Sequence, residues 1–135
     1  MVEVSIPAGA GAGASPSPLR LRRMLRAKIH RVTVTGAELH YEGSLSLDPR
    51  LLKTAGLLAF EQVDVVNVNN GARFSTYLIE GAAGECCLNG AAARLGVPGD
   101  LLIVMAFDLV EERAALDHVP VVVHVDGDNQ PTAGP

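Results

Sequence analysis

From about residue 24 onward, apolar and polar positions alternate in short runs, and the period of two marks half-buried strands. Lys28 to Thr35 carries Ile29, Val32 and Val34, and Glu38 to Glu42 continues extended. Val63 to Val68 is a β-branched run, and Asn69-Asn70-Gly71 after it predicts a tight turn because Asn and Gly tolerate positive φ. The returning strand is Ala72 to Glu80. Further strands are predicted at Glu85 to Leu88, Leu101 to Val110 and Val119 to Val125, separated by glycine-rich turns at Gly81 to Gly84 and Gly96 to Asp100. Helix is scarce. Asp48 reads as an N-cap with Pro49 at the first helical position, opening a short helix to about Leu57, and Ala91 to Leu95 supplies one more turn. Six or more short strands with so little helix predict a small β-barrel or sandwich.

The length of 135 residues suits one domain, which can bury about two-thirds of its unfolded surface. Apolar residues make up 48%, aromatics only 4%, and Trp is absent, so Val, Leu, Ile and Ala must fill the core. A net charge of -4 argues against a nucleic-acid binder, and no apolar run reaches the ~18 residues needed to cross a bilayer. The adjacent Cys86 and Cys87 have neither disulfide-framework nor zinc spacing and read as small buried hydrophobes. Residues 1–23, rich in Ala, Gly, Ser and Pro, lack hydrophobic period and the order of a secretory leader; they read as a flexible extension. The expected organisation is therefore 1–23 extension, 24–130 barrel and 131–135 tail. Charge divides unevenly, +5 over residues 1–31 and -9 over residues 32–135. Either the cations solvate the tail, or one or two of them meet an anionic substrate.

Most chemistries fail on the residues. There is no nucleophile elbow, no phosphate loop with its lysine, and no third ligand to accompany His30 and His40. One segment stands apart: Glu38-Leu39-His40-Tyr41-Glu42-Gly43-Ser44 runs from a strand into a Gly-Ser turn. A serine hydroxyl there can attack the carbonyl before it, because glycine permits close backbone approach. The amide becomes an ester, β-elimination cuts the chain, and the serine is left as dehydroalanine, which hydrolyses to a ketone.

The residues around this segment resemble the aspartate 1-decarboxylases, the pyruvoyl-dependent family that makes β-alanine for pantothenate. The likeness runs through Lys28-Ile29-His30-Arg31-Val32-Thr33-Val34-Thr35 and Ala37 to Ser44, then Asn67 to Tyr77, Asn89-Gly90-Ala91-Ala92-Ala93, and Asp126-Gly127-Asp128-Asn129. It covers about Met24 to Asn129. The N-terminal extension, and a slightly shorter stretch between Tyr77 and Asn89, depart from it without touching a motif residue.

The resemblance implies a double-psi β-barrel with short helices, a cytoplasmic enzyme and a homotetramer whose sites lie between subunits. It implies cleavage between Gly43 and Ser44 into a β chain of residues 1–43 and an α chain of 44–135, whose pyruvoyl group derives from Ser44. Thr76 would assist cleavage and contact substrate, and Tyr77 would donate a proton. Lys28 and Arg73 would receive the two carboxylates of L-aspartate. Tyr41, Asn89, Gly90, Ala91 and Ala92 would line the site. The chemistry of the residues agrees: Arg73 offers a planar fork, Lys28 a flexible point charge, and a phenol can protonate a carbanion. The competing class is an unprocessed, non-enzymatic barrel that binds a partner; a degenerate copy of that kind should lack Ser44, Arg73 or Tyr77, and all are present. A nucleic-acid binder using the cluster from Arg20 to Arg31 would lack stacking aromatics. Strand alternation puts Arg73 with Tyr77 on one face, likewise Lys28 with His30, and turns Thr76 away from Tyr77. Barrel curvature, a bulge, or separate roles for Thr76 and Tyr77 would each reconcile that.

Overall fold

The computed structural model describes residues 18–134, so the Ala/Gly/Ser/Pro-rich segment of the expected extension, residues 1–17, lies outside the described residues. The chain forms β1 (Leu21–Thr33), β2 (Gly36–Glu38), β3 (Ser44–Leu47), helix α1 (Pro49–Ala55), β4 (Gln62–Asn67), β5 (Arg73–Glu80) and β6 (Cys86–Asn89). A 3-10 helix at Gly90–Leu95 follows, then β7 (Leu101–Glu111), helix α2 (Glu112–Ala115), β8 (Val121–Val125) and β9 (Pro131–Thr132). The nine strands order as β2-β6-β3-β5-β4-β7-β1-β8-β9. Three pairs, β1 with β8, β2 with β6 and β3 with β5, are parallel. The mainly β architecture with short helices is as the sequence implies.

Several boundaries differ. Leu21 already pairs with Glu111, so residues 21–23 belong to the sheet and not to an extension. Pro131–Thr132 pairs with β8, so the sheet also reaches into the expected tail. The expected extended run from Glu38 to Glu42 stops at Glu38, where the chain turns through Leu39 and His40. In β1 the inward residues are Ala27 and Ile29, then Val32 and Val34 beyond the strand end. The odd step from Ile29 to Val32 is a bulge: the register with β7 shifts between His30 and Val32, and Arg31 adopts φ +70°.

One aliphatic core fills the sheet, with Ile29, Leu45, Leu47, Leu51, Leu78, Leu88, Leu102 and Val104 fully buried. Each such side chain contributes about 1.5–3 kcal/mol by leaving water. Helix α1 buries Leu51, Leu52 and Ala55 against it and is capped as its sequence predicts. Asp48 Oδ1 accepts from the Arg50 amide at 2.8 Å, and Gly56 ends the helix at φ +72°. Two buried side chains then fix the turn before β6. Asp48 Oδ2 accepts from the Gly84 amide at 2.8 Å, and Asn129 Nδ2 donates to the Gly84 carbonyl at 3.0 Å. Asn129 also bonds both backbone groups of Thr33, each at 2.8 Å, from a left-handed φ of +59°. Among the described residues no helix is long and apolar enough to cross a membrane.

Candidate active site

Strand β3 begins with Ser44, sandwiched between β5 on one side and β6 on the other. Ser44 is buried and pairs directly with Asn89. Asn89 Nδ2 donates to Ser44 Oγ at 3.0 Å and to Ser46 Oγ at 2.8 Å, while the Cys87 thiol donates to Asn89 Oδ1 at 3.4 Å. The Ser44 hydroxyl in turn donates to the Glu42 carbonyl at 3.1 Å. The hydroxyl is thereby held from both sides, accepting one bond from Asn89 and donating its proton to the Glu42 carbonyl.

Gly43 does not have the left-handed backbone that would demand glycine, and a methyl group there would meet nothing within 4 Å. The demand falls on Gly90. Its φ is +68°, and a Cβ would sit 2.7 Å from Gly43 Cα and 2.8 Å from Gly43 N. The close approach expected at Gly43 is real, but Gly90 is the residue that permits it. A cavity of about 260 Å³ opens beside this crossing, lined by Gly43, Phe74, Thr76, Asn89, Ala91 and Ala92 among others.

Strand β5 divides the remaining residues between two faces. Val63, Val65 and Leu78 are buried, and the register pairs Thr76 with Val63 and Phe74 with Val65, so Phe74, Thr76 and Leu78 look inward. Arg73, Ser75 and Tyr77 look outward, paired with Val66, Asp64 and Gln62. On that outer face Ser75 Oγ donates to Asp64 Oδ1 at 2.5 Å. The row continues from Ser75 through Asp64 and Met105 to Lys28. Lys28 flanks the buried Ala27 and Ile29 and so shares the outer face, but three strand spacings separate it from β5, about 14 Å. Tyr77 lines a separate depression of about 540 Å³ with Phe60, Gln62, Ser75 and Thr76. Arg73 lines another of about 240 Å³ with Asp64 and Phe74.

The structure therefore brings Gly43, Ser44, Thr76, Asn89, Gly90, Ala91 and Ala92 together. Lys28, Arg73 and Tyr77 do not line the cavity at Gly43 within one chain, although Thr76 also lines the depression that holds Tyr77. Tyr41 is 59% exposed in the turn before Gly43, with its carbonyl close over Gly90. Two residues absent from the sequence reading stand near these groups, Ser46 through Asn89 and Phe60 beside Tyr77 with ring centroids 6.4 Å apart, and Cys87, read from the sequence only as a small buried hydrophobe, bonds Asn89. Ser46 had a signal, since period two puts it on the face of Ser44. Phe60 had none, because its neighbourhood depends on the pairing of its loop with β5.

Electrostatics adds restraint. Burial pushes the Cys86 thiol far up, and burial followed by the charges of Glu85 and Glu38 raises that of Cys87, so both stay protonated and unreactive. His30 is lowered, first by burial and then by Lys28, His124 and Arg31; its ring meets His124 edge-on at 5.4 Å.

A sequence profile of the family described as aspartate decarboxylase matches residues 20–132. A curated aspartate 1-decarboxylase of Hydrogenobaculum sp. is 56% identical over 108 residues, which span 80% of this chain and 86% of that protein. Those of Salinibacter ruber and Syntrophobacter fumaroxidans are 57% and 54% identical, spanning 81% and 82% of this chain and 76% and 90% of the respective relatives.

Proposed function

The chain belongs to the aspartate decarboxylase family and removes CO2 from aspartate, the β-alanine-forming step of pantothenate synthesis; we propose that it does so with a pyruvoyl group made from its own Ser44. Ser44 Oγ adds to the Gly43 carbonyl carbon as the Gly43–Ser44 C–N bond breaks and the hydroxyl proton passes to the freed Ser44 nitrogen, which turns the amide into an ester with a free amine. Loss of the Ser44 Cα proton with cleavage of Cβ–Oγ frees the Gly43 carboxylate. Water then displaces nitrogen from the resulting dehydroalanine, releasing ammonia and leaving a ketone.

The observation that carries this reading is the held hydroxyl: Ser44 Oγ is buried, between Asn89 Nδ2 and the Glu42 carbonyl, beside Gly43. Asn89 can donate to the oxygen as it gains a bond. Thr76, which lines the cavity with Gly43, would donate to the Gly43 carbonyl oxygen as charge develops on it. The small Ala91 and Ala92 side chains leave room in that cavity for a three-carbon keto group, with Asn89 as its polar partner, so the residues present fit the group. Bound there, the pyruvoyl group supplies an electron sink for the bond to CO2.

Substrate recognition falls to this chain's cations and phenol. Arg73 receives one aspartate carboxylate through its planar fork and Lys28 the other as a point charge. Tyr77 returns the proton that replaces CO2. Tyr41 and the backbone at Gly90, Ala91 and Ala92 complete the lining. Because Lys28, Arg73 and Tyr77 share the outer face while Ser44 and Thr76 lie behind it, the complete site needs a second copy of the chain. That copy's outer face would close over the cavity at Gly43, in a homotetramer working in the cytoplasm. Exposed Phe107, Val121 and Val122 on the strands around Lys28 are apolar area that such a neighbour would cover.

Denaturing mass analysis tests the reading. Two fragments are expected, split after Gly43, the larger with a ketone in place of its amino terminus. One uncut chain without carbonyl reactivity would overturn it and favour an unprocessed barrel that binds a partner.

A further inference from the structure

Phe60 is 78% exposed and holds a backbone φ of +71°, a combination that a bulky aromatic rarely adopts without a reason. It stands at the tip of the loop between α1 and β4, and that loop is tied down around it. The Phe60 amide donates to the Leu78 carbonyl at 2.7 Å, and the Leu78 amide donates to the Glu61 carbonyl at 3.0 Å. Arg26 forms an ion pair with Glu61 and donates to the Gly56 carbonyl at 2.9 Å, while Glu61 accepts from the Leu58 amide at 3.1 Å. The consequence of all this bracing is a ring set over Tyr77, tilted by 35°, forming one wall of the 540 Å³ depression.

Burial does not account for it, since most of the ring faces solvent in the single chain. Local preference does not either, because Asn or Gly would occupy that backbone with less strain. We propose that Phe60 is a positioning residue for Tyr77. Its ring fixes the orientation of the phenol and keeps water from that side of the depression, and the strained backbone is the means of placing it there. This rests on the reading of Tyr77 as the proton donor.

The experiment compares Phe60→Asn, which removes the ring and eases the backbone, with Phe60→Tyr, which keeps a ring. In Phe60→Asn, cleavage after Gly43 should be complete and Tm at equal protein concentration unchanged or higher. Its kcat should fall about tenfold, a fraction of the ~10²–10⁴ that a placed proton donor contributes, with KM moving little. Phe60→Tyr should retain the parent rate. A readout independent of turnover comes from fluorescence, since the chain has two tyrosines and no tryptophan. In a Tyr41→Phe background, acrylamide should quench Tyr77 more strongly once the Phe60 ring is gone. Parental kcat and unchanged quenching in Phe60→Asn would overturn the inference, as would parallel loss of Tm and activity in both variants, which marks a structural residue. Tyr77→Phe, measured alongside, separates the two readings. If it turns over like the parent, the role of Tyr77 falls; if it is slow while Phe60→Asn is not, only the role of Phe60 falls.

Discussion

Gly90 passes beneath Gly43 so closely that a single methyl on Gly90 would lie 2.7 Å from the Gly43 Cα. Neither residue can move alone: Gly90 continues directly from Asn89, whose amide holds Ser44, and Gly43 carries the bond proposed to be cut. Gly90→Ala should therefore push the Gly43–Ser44 segment off Asn89 and suppress self-cleavage, with the positive φ adding about 1 kcal/mol of backbone strain. Intact mass over time reads the result. Cleavage at the parent rate would show that the crossing does not set the geometry.

Thr76 and Tyr77 are adjacent in sequence and opposed in space, which yields a test by complementation. Ser44→Ala should remain uncut and inactive, and Tyr77→Phe should be cut but slow. Mixed oligomers of the two, formed by coexpression, should recover about a quarter of parental turnover or less, because in the proposed site one chain supplies Ser44 and the other Tyr77. No recovery in verified mixed oligomers would place both groups in one chain's site.

Asp48 is 1% exposed, and its carboxyl sits at about 2. Burial alone would raise it, but the amides of Gly84 and Arg50 and the Arg50 guanidinium outweigh that. A pKa depressed in the folded state stabilises the protein above the unfolded value near 4, and that stability is lost as pH falls toward 2. Asp48→Asn should cost about 2 kcal/mol at pH 7, and the deficit should shrink between pH 4 and pH 2. A deficit independent of pH would mean that the cap works through shape alone.

Asn129 satisfies both backbone groups of Thr33 and the Gly84 carbonyl from a left-handed conformation. Asn129→Ala should lower stability by about 3 kcal/mol, since three partly buried backbone groups lose partners. Cleavage should slow as well, because the Gly84 turn leads into the strand bearing Asn89. Chemical denaturation and the cleavage time course measure the two effects separately.

Local signals were legible where a residue's role depends on its immediate neighbours. Asp48 and Pro49 announced the start of α1 because capping is settled within one turn, and Asn69-Asn70-Gly71 announced a turn for the same reason. The core's makeup followed from the shortage of aromatics. The uneven step from Ile29 to Val32 was visible but not interpretable, because a bulge is defined by the partner strand. The residues that the resemblance marks at Gly43, Ser44, Thr76 and Asn89 could be named from their order along the chain, while the meeting of Gly43, Thr76 and Asn89 in one cavity, with Ser44 bonded to Asn89, depends on β3 inserting between β5 and β6.

What the amino-acid sequence determined by itself is the strand content, in its β-branched runs, and the groups available to the proposed chemistry: a Gly-Ser bond, the phenol of Tyr77, and the cations Lys28 and Arg73. Tertiary structure alone decided the arrangement. Pairing of distant segments, antiparallel between β3 and β6, set Ser44 against Asn89, put Lys28 three strands from β5, moved the glycine requirement to Gly90 and placed Phe60 over Tyr77. Each of these depends on register between strands far apart in the chain, and register is fixed by how the whole core packs.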